Sequence, residues 1–235
     1  WYFSQNPTIK DIEAESIRNI TNALPKITIE LQDIPLNQTY FLSILEHSNR
    51  VYETLQLMHV YNVLTRYIPE ASPITGLMQF DLYHSYTVDQ HILFVIRNLE
   101  AFRDPSAQTS FSLCHELIQS IDNKAILYLA ALFHDVGKGK NNDHSMIGAF
   151  VAEKFCHKHQ LSLSDTETIS WLVKNHLILS YTAQHKNIHD PQVICQFAKR
   201  IKNKQRLILL YLITVADITA TNQKLWNDWR NALLK

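Results

Sequence analysis

A histidine and an aspartate stand side by side at His134 and Asp135, directly after the uncharged apolar stretch Ala125–Phe133. A lysine follows three residues later, at Lys138. An ionised carboxylate is costly to bury unless it is paired or coordinates a metal ion. These residues alone leave two interpretations open. One is a metal-binding corner, and the other is a helix end capped by Asp135 with His134 as an ordinary half-buried ring.

Two further polar residues fall inside the apolar stripes of predicted helices. His91 repeats with apolar residues at three- and four-residue spacing in the predicted helix 87–102, and Asp217 does so in 206–219. This periodicity predicts that both side chains point into the core. For His91, the alternative is a core histidine bonded to a backbone carbonyl. With the His-Asp pair, they form a nitrogen and oxygen ligand set without sulfur, which suits Mn, Fe, Mg or Zn at a catalytic site.

The composition indicates a soluble protein without a dominant charge. The chain has 235 residues, 46% of them hydrophobic, and a formal net charge of zero, so no overall basic field favours nucleic acid or a membrane surface. Its apolar runs are about half as long as a bilayer requires. Its four glycines lack the spacing of a phosphate-binding loop. The dispersed Cys114, Cys156 and Cys195 predict reduced thiols, buried as small hydrophobes in a cytoplasmic protein.

The elements that must position these residues are predicted to be helices with short polar connections. Pro69, Pro73 and Gly76 form the clearest break, which predicts a helical preamble over 1–76 and a larger unit over 77–235. The predicted helices are 10–24, 37–50, 51–67, 87–102, 111–120, 125–133, 145–158, 164–174, 190–202, 206–219 and 220–235.

The order His91, then His134-Asp135, then Asp217 resembles the signature of the HD-domain phosphohydrolases, an all-helical metal-dependent superfamily. The longer matches carry the resemblance, because a lone His-Asp dipeptide is uninformative. They read H-D-V-G-K-G at 134–139 and D-H-S-M-I-G-A at 143–149. The resemblance implies an all-α HD-domain helical bundle, preceded here by the smaller helical region. It also implies that these four residues hold a metal ion.

Several segments are similar to a narrower family, the bacterial PII uridylyltransferase/uridylyl-removing enzymes, which are bifunctional nitrogen sensors. They cover the chain from about residue 60 to its end and lie at 79–91, 127–135, 143–145, 171–177 and 212–222. The resemblance implies hydrolysis of a uridylylated tyrosine on the PII signalling protein, with UMP as product. The implied cofactor is a divalent ion, Mn or Mg first, with Fe or Zn as alternatives. The family's nucleotidyltransferase domain and glutamine-sensing ACT domains are implied for a parent chain, and their motifs are not visible here.

Two other functions remain open at this point. One is an HD hydrolase of free nucleotides, and the other is a catalytically silent HD scaffold that relays glutamine signals between domains. A silent scaffold has no need of four buried polar groups, which argues against it.

The resemblance also implies roles for residues near the His-Asp pair. Asp135 and Lys138 belong to the expected catalytic set. Lys138 is expected to hold a phosphoryl oxygen or the ligand carboxylate, and the alternative is a solvated lysine at a helix end. His84 lies two helical turns before His91, about 10 Å along the axis. Contact with substrate is therefore favoured for His84 over a shared metal ion.

Further along the chain, His144 and His176 are expected to bind a second metal ion or the phosphate. Asp143 is expected to orient a neighbour or to cap the following helix. Asn175 stands where the family often has another histidine. The basic run at 199–206 predicts a solvated helix end or a docking face for PII or other domains. The remaining histidines of this half are predicted at the surface: His115, His157, His159, His185 and His189.

Overall fold

The computed structural model describes residues 1–78, 86–140, 143–221 and 234, which form α-helices joined by turns and short 3₁₀ segments. These residues contain no strand, although an isolated backbone bridge pairs Met78 with Thr87. The predicted all-α fold class is confirmed. None of the described helices is both long and apolar enough to cross a bilayer.

Residues 1–78 contain the first five helices and the 3₁₀ segments. The predicted helix 51–67 is broken in two at Asn62, whose φ of 58° lies in the left-handed region. Asparagine tolerates this conformation better than most residues, so it can end one helix and begin the next. The helices are α1 Tyr2–Gln5, α2 Ala14–Ala23, α3 Pro35–His47, α4 Val51–Val60 and α5 Val63–Tyr67. The 3₁₀ segments are Leu24–Lys26, Leu31–Asp33 and Pro69–Ile74.

The remaining described helices follow the proline-rich break. Those that were predicted begin and end within a few residues of their predicted limits, whereas α7 and α12 were not predicted. Most of the predicted helix 220–235, including Trp226 and Trp229, lies outside the described residues. The helices are α6 Val88–Ala101, α7 Ala107–Ser110, α8 Ser112–Gln119, α9 Ala125–Phe133, α10 His144–Lys158, α11 Leu163–Asn175, α12 Ile178–His185, α13 Pro191–Ile201 and α14 Lys204–Thr221.

Helix α9 lies at the centre of the core. Each of its nine residues is buried, as its uniformly apolar sequence predicts. It contacts α3 from the N-terminal region and α6, α10, α11 and α14 from the rest of the chain. Because α9 ends at Phe133, the next two residues, His134 and Asp135, lie in the middle of the molecule.

Two glycines allow α10 to approach the end of α9 closely. A Cβ atom on Gly148 would lie 2.5 Å from the carbonyl oxygen of Phe133, and one on Gly137 would lie 2.4 Å from that of His144. Both distances are shorter than real Cβ contacts allow, and backbone atoms cannot swing aside as a side chain can. Glycine at these positions therefore brings the first turn of α10 against the His-Asp corner.

Two predictions about which side chains are buried are wrong. Cys195 is exposed on α13, whereas Cys114 and Cys156 are buried as predicted. His159 was predicted at the surface, yet only 4% of it is exposed. Its ring stacks on Phe155 with centroids 3.7 Å apart, and both ring nitrogens have partners, so the residue is buried at little cost.

Candidate metal centre

His134 is oriented by the backbone of the helix that it follows. Its Nδ1 lies 2.7 Å from the carbonyl oxygen of Ala131, three residues earlier. A carbonyl oxygen can only accept, so Nδ1 must carry the proton, and Nε2 of the neutral ring is left as a ligand atom. His176, which follows α11, repeats this arrangement with the carbonyl of Val173 at 2.7 Å.

A first group of ligand atoms joins α6, the end of α9 and α14. Nε2 of His91 lies 2.9 Å from Oδ1 of Asp217 and 3.4 Å from Nε2 of His134. The ligand atoms of the three residues all lie within 4.8 Å of one another. This spacing could hold one metal ion with two nitrogen ligands and one oxygen ligand.

A second group lies on the other side of Asp135. It contains Asp135, His144 from the start of α10 and His176, again with ligand atoms within 4.8 Å of one another. Oδ1 of Asp135 is 3.7 Å from Nε2 of His144 and 4.0 Å from Nε2 of His176. Its Oδ2 is turned to the first group, 3.3 Å from Nε2 of His134. Asp135 is therefore a member of the second triad and turns its other oxygen to the first.

The remaining contacts fix the edges of this cluster. Nζ of Lys138 lies 2.6 Å from Oδ2 of Asp135, and the lysine side chain is only 13% exposed. Oδ1 of Asp143 accepts a hydrogen bond of 2.9 Å from the backbone N–H of Ser145. Asp143 thus caps α10, which is one of its two predicted roles, and thereby fixes the position of His144 at the first residue of the helix.

The charges of the cluster depend strongly on one another. Burial alone would raise the pKa of Asp217, but the hydrogen bond and charge of His91 outweigh burial and lower that pKa to about 2. Burial likewise opposes ionisation of Asp135, yet the adjacent His134 and Lys138 hold its pKa well below the usual range. Burial and the charge of His134 lower the pKa of His176 to about 4. Burial opposes protonation of His134, but the charges of Asp135 and Asp217 outweigh it and raise the pKa of that ring. Ligation to a metal ion requires neutral imidazoles. In that state two buried carboxylates face one ammonium group, so a net negative charge remains for a cation.

The structure thus brings six of the predicted site residues together and places Lys138 against one of them. Whether these residues bind metal stays a prediction. His84 lies outside the described residues. The six residues are His91, His134, Asp135, His144, His176 and Asp217.

Asn175 does not contribute to this cluster, although it directly precedes His176. It is buried, its side-chain N–H donates to the carbonyl of Trp171 at 2.8 Å, and its Oδ1 accepts from Nε of Arg200 at 3.0 Å. Asn175 therefore joins α11 to α13 through a member of the basic run. Trp171 itself packs against the core.

Comparison with known families agrees with this geometry. A model described as "HD domain" matches residues 88–222, the part of the chain that contributes all six residues of the cluster. The chain belongs to the HD domain family. A second model, described as "Uridylyltransferase GlnD third domain", matches residues 1–67, which precede the HD domain.

Relatives of this HD domain chain are bifunctional uridylyltransferase/uridylyl-removing enzymes. The relative from Photobacterium profundum is 43% identical over 233 residues, which are 99% of this chain and 27% of the relative. Those from Idiomarina loihiensis and Acinetobacter baylyi are each 42% identical, over 99% and 100% of this chain and 26% of the relative. The chain spans about a quarter of the length of the curated relatives that it matches.

Sequence reasoning missed the polar contacts that hold the helices of the HD domain in place. Nε2 of His59 on α4 lies 3.1 Å from Oδ2 of Asp89, in the first turn of α6. The side chain of Asn98 on α6 donates to Oγ1 of Thr219 at 2.9 Å and to the carbonyl of Ala216 at 3.2 Å. The partners are 30 or more residues apart, so no local pattern in the sequence indicates them.

Proposed function

We propose that this HD domain hydrolyses a phosphodiester and removes UMP from a uridylylated tyrosine of the PII signalling protein. One observation carries the proposal: two triads of ligand atoms meet at Asp135, a buried member of the second triad that lies 3.3 Å from His134 of the first. The relatives are named as uridylyl-removing enzymes, and removal of a uridylyl group by water is a hydrolysis of this kind.

The residues present fit a divalent cation. The donors are imidazole nitrogens and carboxylate oxygens without sulfur, a set that suits Mn, Fe, Mg or Zn. Asp135 is only 2% exposed, and its carboxylate and that of Asp217 leave a net negative charge that a cation would balance. The Nε2 atoms of His134 and His176 face Asp135, because their Nδ1 atoms are bound to carbonyls.

Two ions are proposed, one for each triad. The first ion would be held by His91, His134 and Asp217. The second ion would be held by Asp135, His144 and His176. Asp135 would contribute one oxygen to each ion. Mn or Mg is the first choice, with Fe or Zn as alternatives. A divalent ion in such a site supplies Lewis acidity, which lowers the pKa of water and neutralises phosphoryl oxygens.

The residues of the chain bind and orient the substrate. His144 and Asp217 have the most exposed side chains of the cluster, at 29% and 19%, so they mark the side from which a substrate arrives. The ammonium group of Lys138 adds a fixed positive charge beside Asp135 for a phosphoryl oxygen. A tyrosine leaving group has a pKa near ~10, so it departs without a strong general acid.

The proposal assigns residues 1–76 to a helical preamble and 77–235 to the hydrolytic unit. The parent chain would carry a nucleotidyltransferase domain and ACT domains in addition. The proposed place of the reaction is the cytoplasm. Neither nucleic acid nor a membrane is needed.

The decisive experiment is to incubate the chain with uridylylated PII and Mn²⁺ and to measure released UMP by chromatography. We expect release with Mn²⁺ and none with a chelator. Asp135→Asn and Asp217→Asn should each slow release by more than about 100-fold, which is the upper limit for losing only an outer partner of a metal ligand. The exposed Glu167→Gln on α11 makes the same charge change away from the cluster and should leave the rate unchanged.

A chain that binds Mn²⁺ but releases no UMP, under conditions in which a full-length relative does, would rule out this function. A panel of free nucleotides in the same assay identifies the alternative hydrolase. A chain purified without chelator that contains no metal would instead support the silent scaffold.

A further inference from the structure

Helix α4 runs antiparallel along α6, and polar contacts hold the two helices together at both ends. At one end, the carboxylate of Glu100 accepts hydrogen bonds from the backbone N–H groups of Val51 at 2.8 Å and Tyr52 at 3.1 Å. These N–H groups belong to the first turn of α4, where no helical partner exists. At the other end, His59 contacts Asp89. The two helices belong to the regions matched by different family models.

The His59–Asp89 contact is shielded from water. The side chains are 13% and 11% exposed, and Nε2 of His59 lies 3.1 Å from Oδ2 of Asp89. The other oxygen, Oδ1, accepts from the backbone N–H of Gly76 at 3.2 Å. One carboxylate therefore joins α4, the turn at Gly76 and the first turn of α6. The Thr87 side chain also hydrogen-bonds this carboxylate. Exposed ion pairs contribute little to the position of a helix, but a shielded carboxylate with several donors restricts it strongly.

The opposite side of α6 is fixed to α14. Asn98 donates to Ala216 and Thr219, which flank Asp217. His91 lies between this attachment and the one at Asp89, and its Nε2 is 2.9 Å from Oδ1 of Asp217. A displacement of the first turn of α6 would therefore change the distance between two members of the first triad.

We infer that His59 and Asp89 are positioning residues for the first triad, so that α4 of the preceding region sets the metal affinity of the HD domain. This inference rests on the metal centre of the proposed function. Asp89 lies two residues before His91 and turns its carboxylate to α4 and the Gly76 turn. It therefore acts through the position of α6, and His59 acts through Asp89.

The test compares variants of the 235-residue chain by calorimetric titration with Mn²⁺ and by thermal melting. His59→Leu removes the imidazole N–H that donates to Asp89. It should weaken Mn²⁺ binding at one of the two sites by about tenfold, which is in the range seen when a residue that supports a metal ligand is lost. His59→Gln keeps an N–H donor at similar reach and should restore the affinity to within about twofold. Asp89→Asn provides a second disruption with almost no change of shape and should behave like His59→Leu.

Glu100→Gln is the matched control, because it loosens the other end of α4. The two attachments are eleven residues apart on α6, about 16 Å along its axis. Glu100→Gln should lower the melting temperature but leave Mn²⁺ affinity within about twofold. If His59→Leu and Asp89→Asn bind Mn²⁺ like the unchanged chain, the inference is wrong. The inference is equally wrong if His59→Leu, Asp89→Asn and Glu100→Gln all lose Mn²⁺ affinity in proportion to the fall in their melting temperatures.

The outcomes separate this inference from the proposed function. An unchanged chain that binds none of Mn²⁺, Mg²⁺, Fe²⁺ and Zn²⁺ would overturn both the metal centre and the positioning role. An unchanged chain that binds Mn²⁺ and loses affinity on His59→Leu, but releases no UMP, would support the positioning role and contradict only the proposed reaction.

Discussion

At the scale of single residues, Asp135 combines deep burial with contacts to several charged and polar neighbours. It is almost fully buried, one oxygen faces each triad, and Lys138 lies 2.6 Å from Oδ2. Histidines on both sides are turned by backbone carbonyls so that Nε2 points inwards. A side chain held by so many neighbours cannot change rotamer freely, which preorganises the cluster.

Asn175 allows a test of how strictly the ligand set is defined. Replacement by Ala removes the hydrogen bond to the Trp171 carbonyl and the bond from the charged Arg200, so we expect a loss of about 1–3 kcal/mol in unfolding free energy. The bound Mn²⁺ should remain at two ions per chain, because the Asn175 side chain points to α13. Denaturant unfolding and metal analysis measure the two effects.

The neighbouring His176→Ala is the comparison for that variant, since it should lose one ion. If Asn175→Ala also loses one ion, Asn175 would belong to the centre after all. The centre would then include the position at which the family often has another histidine.

At the scale of helices, the approach of α10 to the end of α9 depends on two glycines, of which Gly148 lies within α10. Gly148→Ala would place a Cβ 2.5 Å from the Phe133 carbonyl, so α10 must move outwards. We expect a loss of about 1–3 kcal/mol in unfolding free energy, typical of an overfilled core. Weaker Mn²⁺ binding should accompany it, because α10 carries His144. Calorimetry with and without Mn²⁺ measures both effects.

The exposed Met146→Ala on the same helix serves as the control and should change neither quantity by much. Unaltered Mn²⁺ affinity in a folded Gly148→Ala protein would show that the position of α10 does not govern the second triad.

The same helices show what a sequence can predict. His91 and Asp217 were assigned to the core because each interrupts an apolar stripe, and a stripe is a local property. His144 and His176 were expected near the site only from the family resemblance, since nothing in their own spacing places them there. The contact between His59 and Asp89 was not foreseen, because it depends on how two distant helices pack.

At the scale of the whole molecule, α5 and α10 meet in a buried aromatic cluster. The hydroxyl of Tyr67 lies 2.6 Å from Nε2 of His159, whose Nδ1 lies 2.8 Å from the Phe155 carbonyl. Since the carbonyl can only accept, Nδ1–H donates to it and Nε2 accepts from the tyrosine. The neutral ring therefore satisfies both neighbours, and a protonated ring would lose the bond from Tyr67. This contact joins residues 1–67 to residues 88–222, the two regions that are matched by different family models.

This cluster predicts how the stability of the molecule depends on pH. Burial lowers the pKa of His159 to about 4, from an ordinary value near ~6.5 in the unfolded chain. Between these values the unfolded chain binds the extra proton, so stability is complete above about pH 6.5 and falls as pH decreases towards 4. The expected contribution is about 2 kcal/mol, after allowance for screening by solvent. Lys158, which is paired with Glu30 and Asp33 beside the cluster, keeps its charge throughout this range.

The double variant Tyr67→Phe with His159→Phe retains the ring stacking, leaves no unpaired hydroxyl and cannot titrate. Denaturant unfolding at several pH values should therefore give a shallower loss of stability between pH 6.5 and 4, by about 2 kcal/mol over that range. His157→Phe changes an exposed histidine two residues away and should keep the steeper slope of the unchanged chain. Equal slopes for the unchanged chain and the double variant would mean that the buried imidazole does not govern acid stability. In that case, the contact between α5 and α10 would contribute through packing alone.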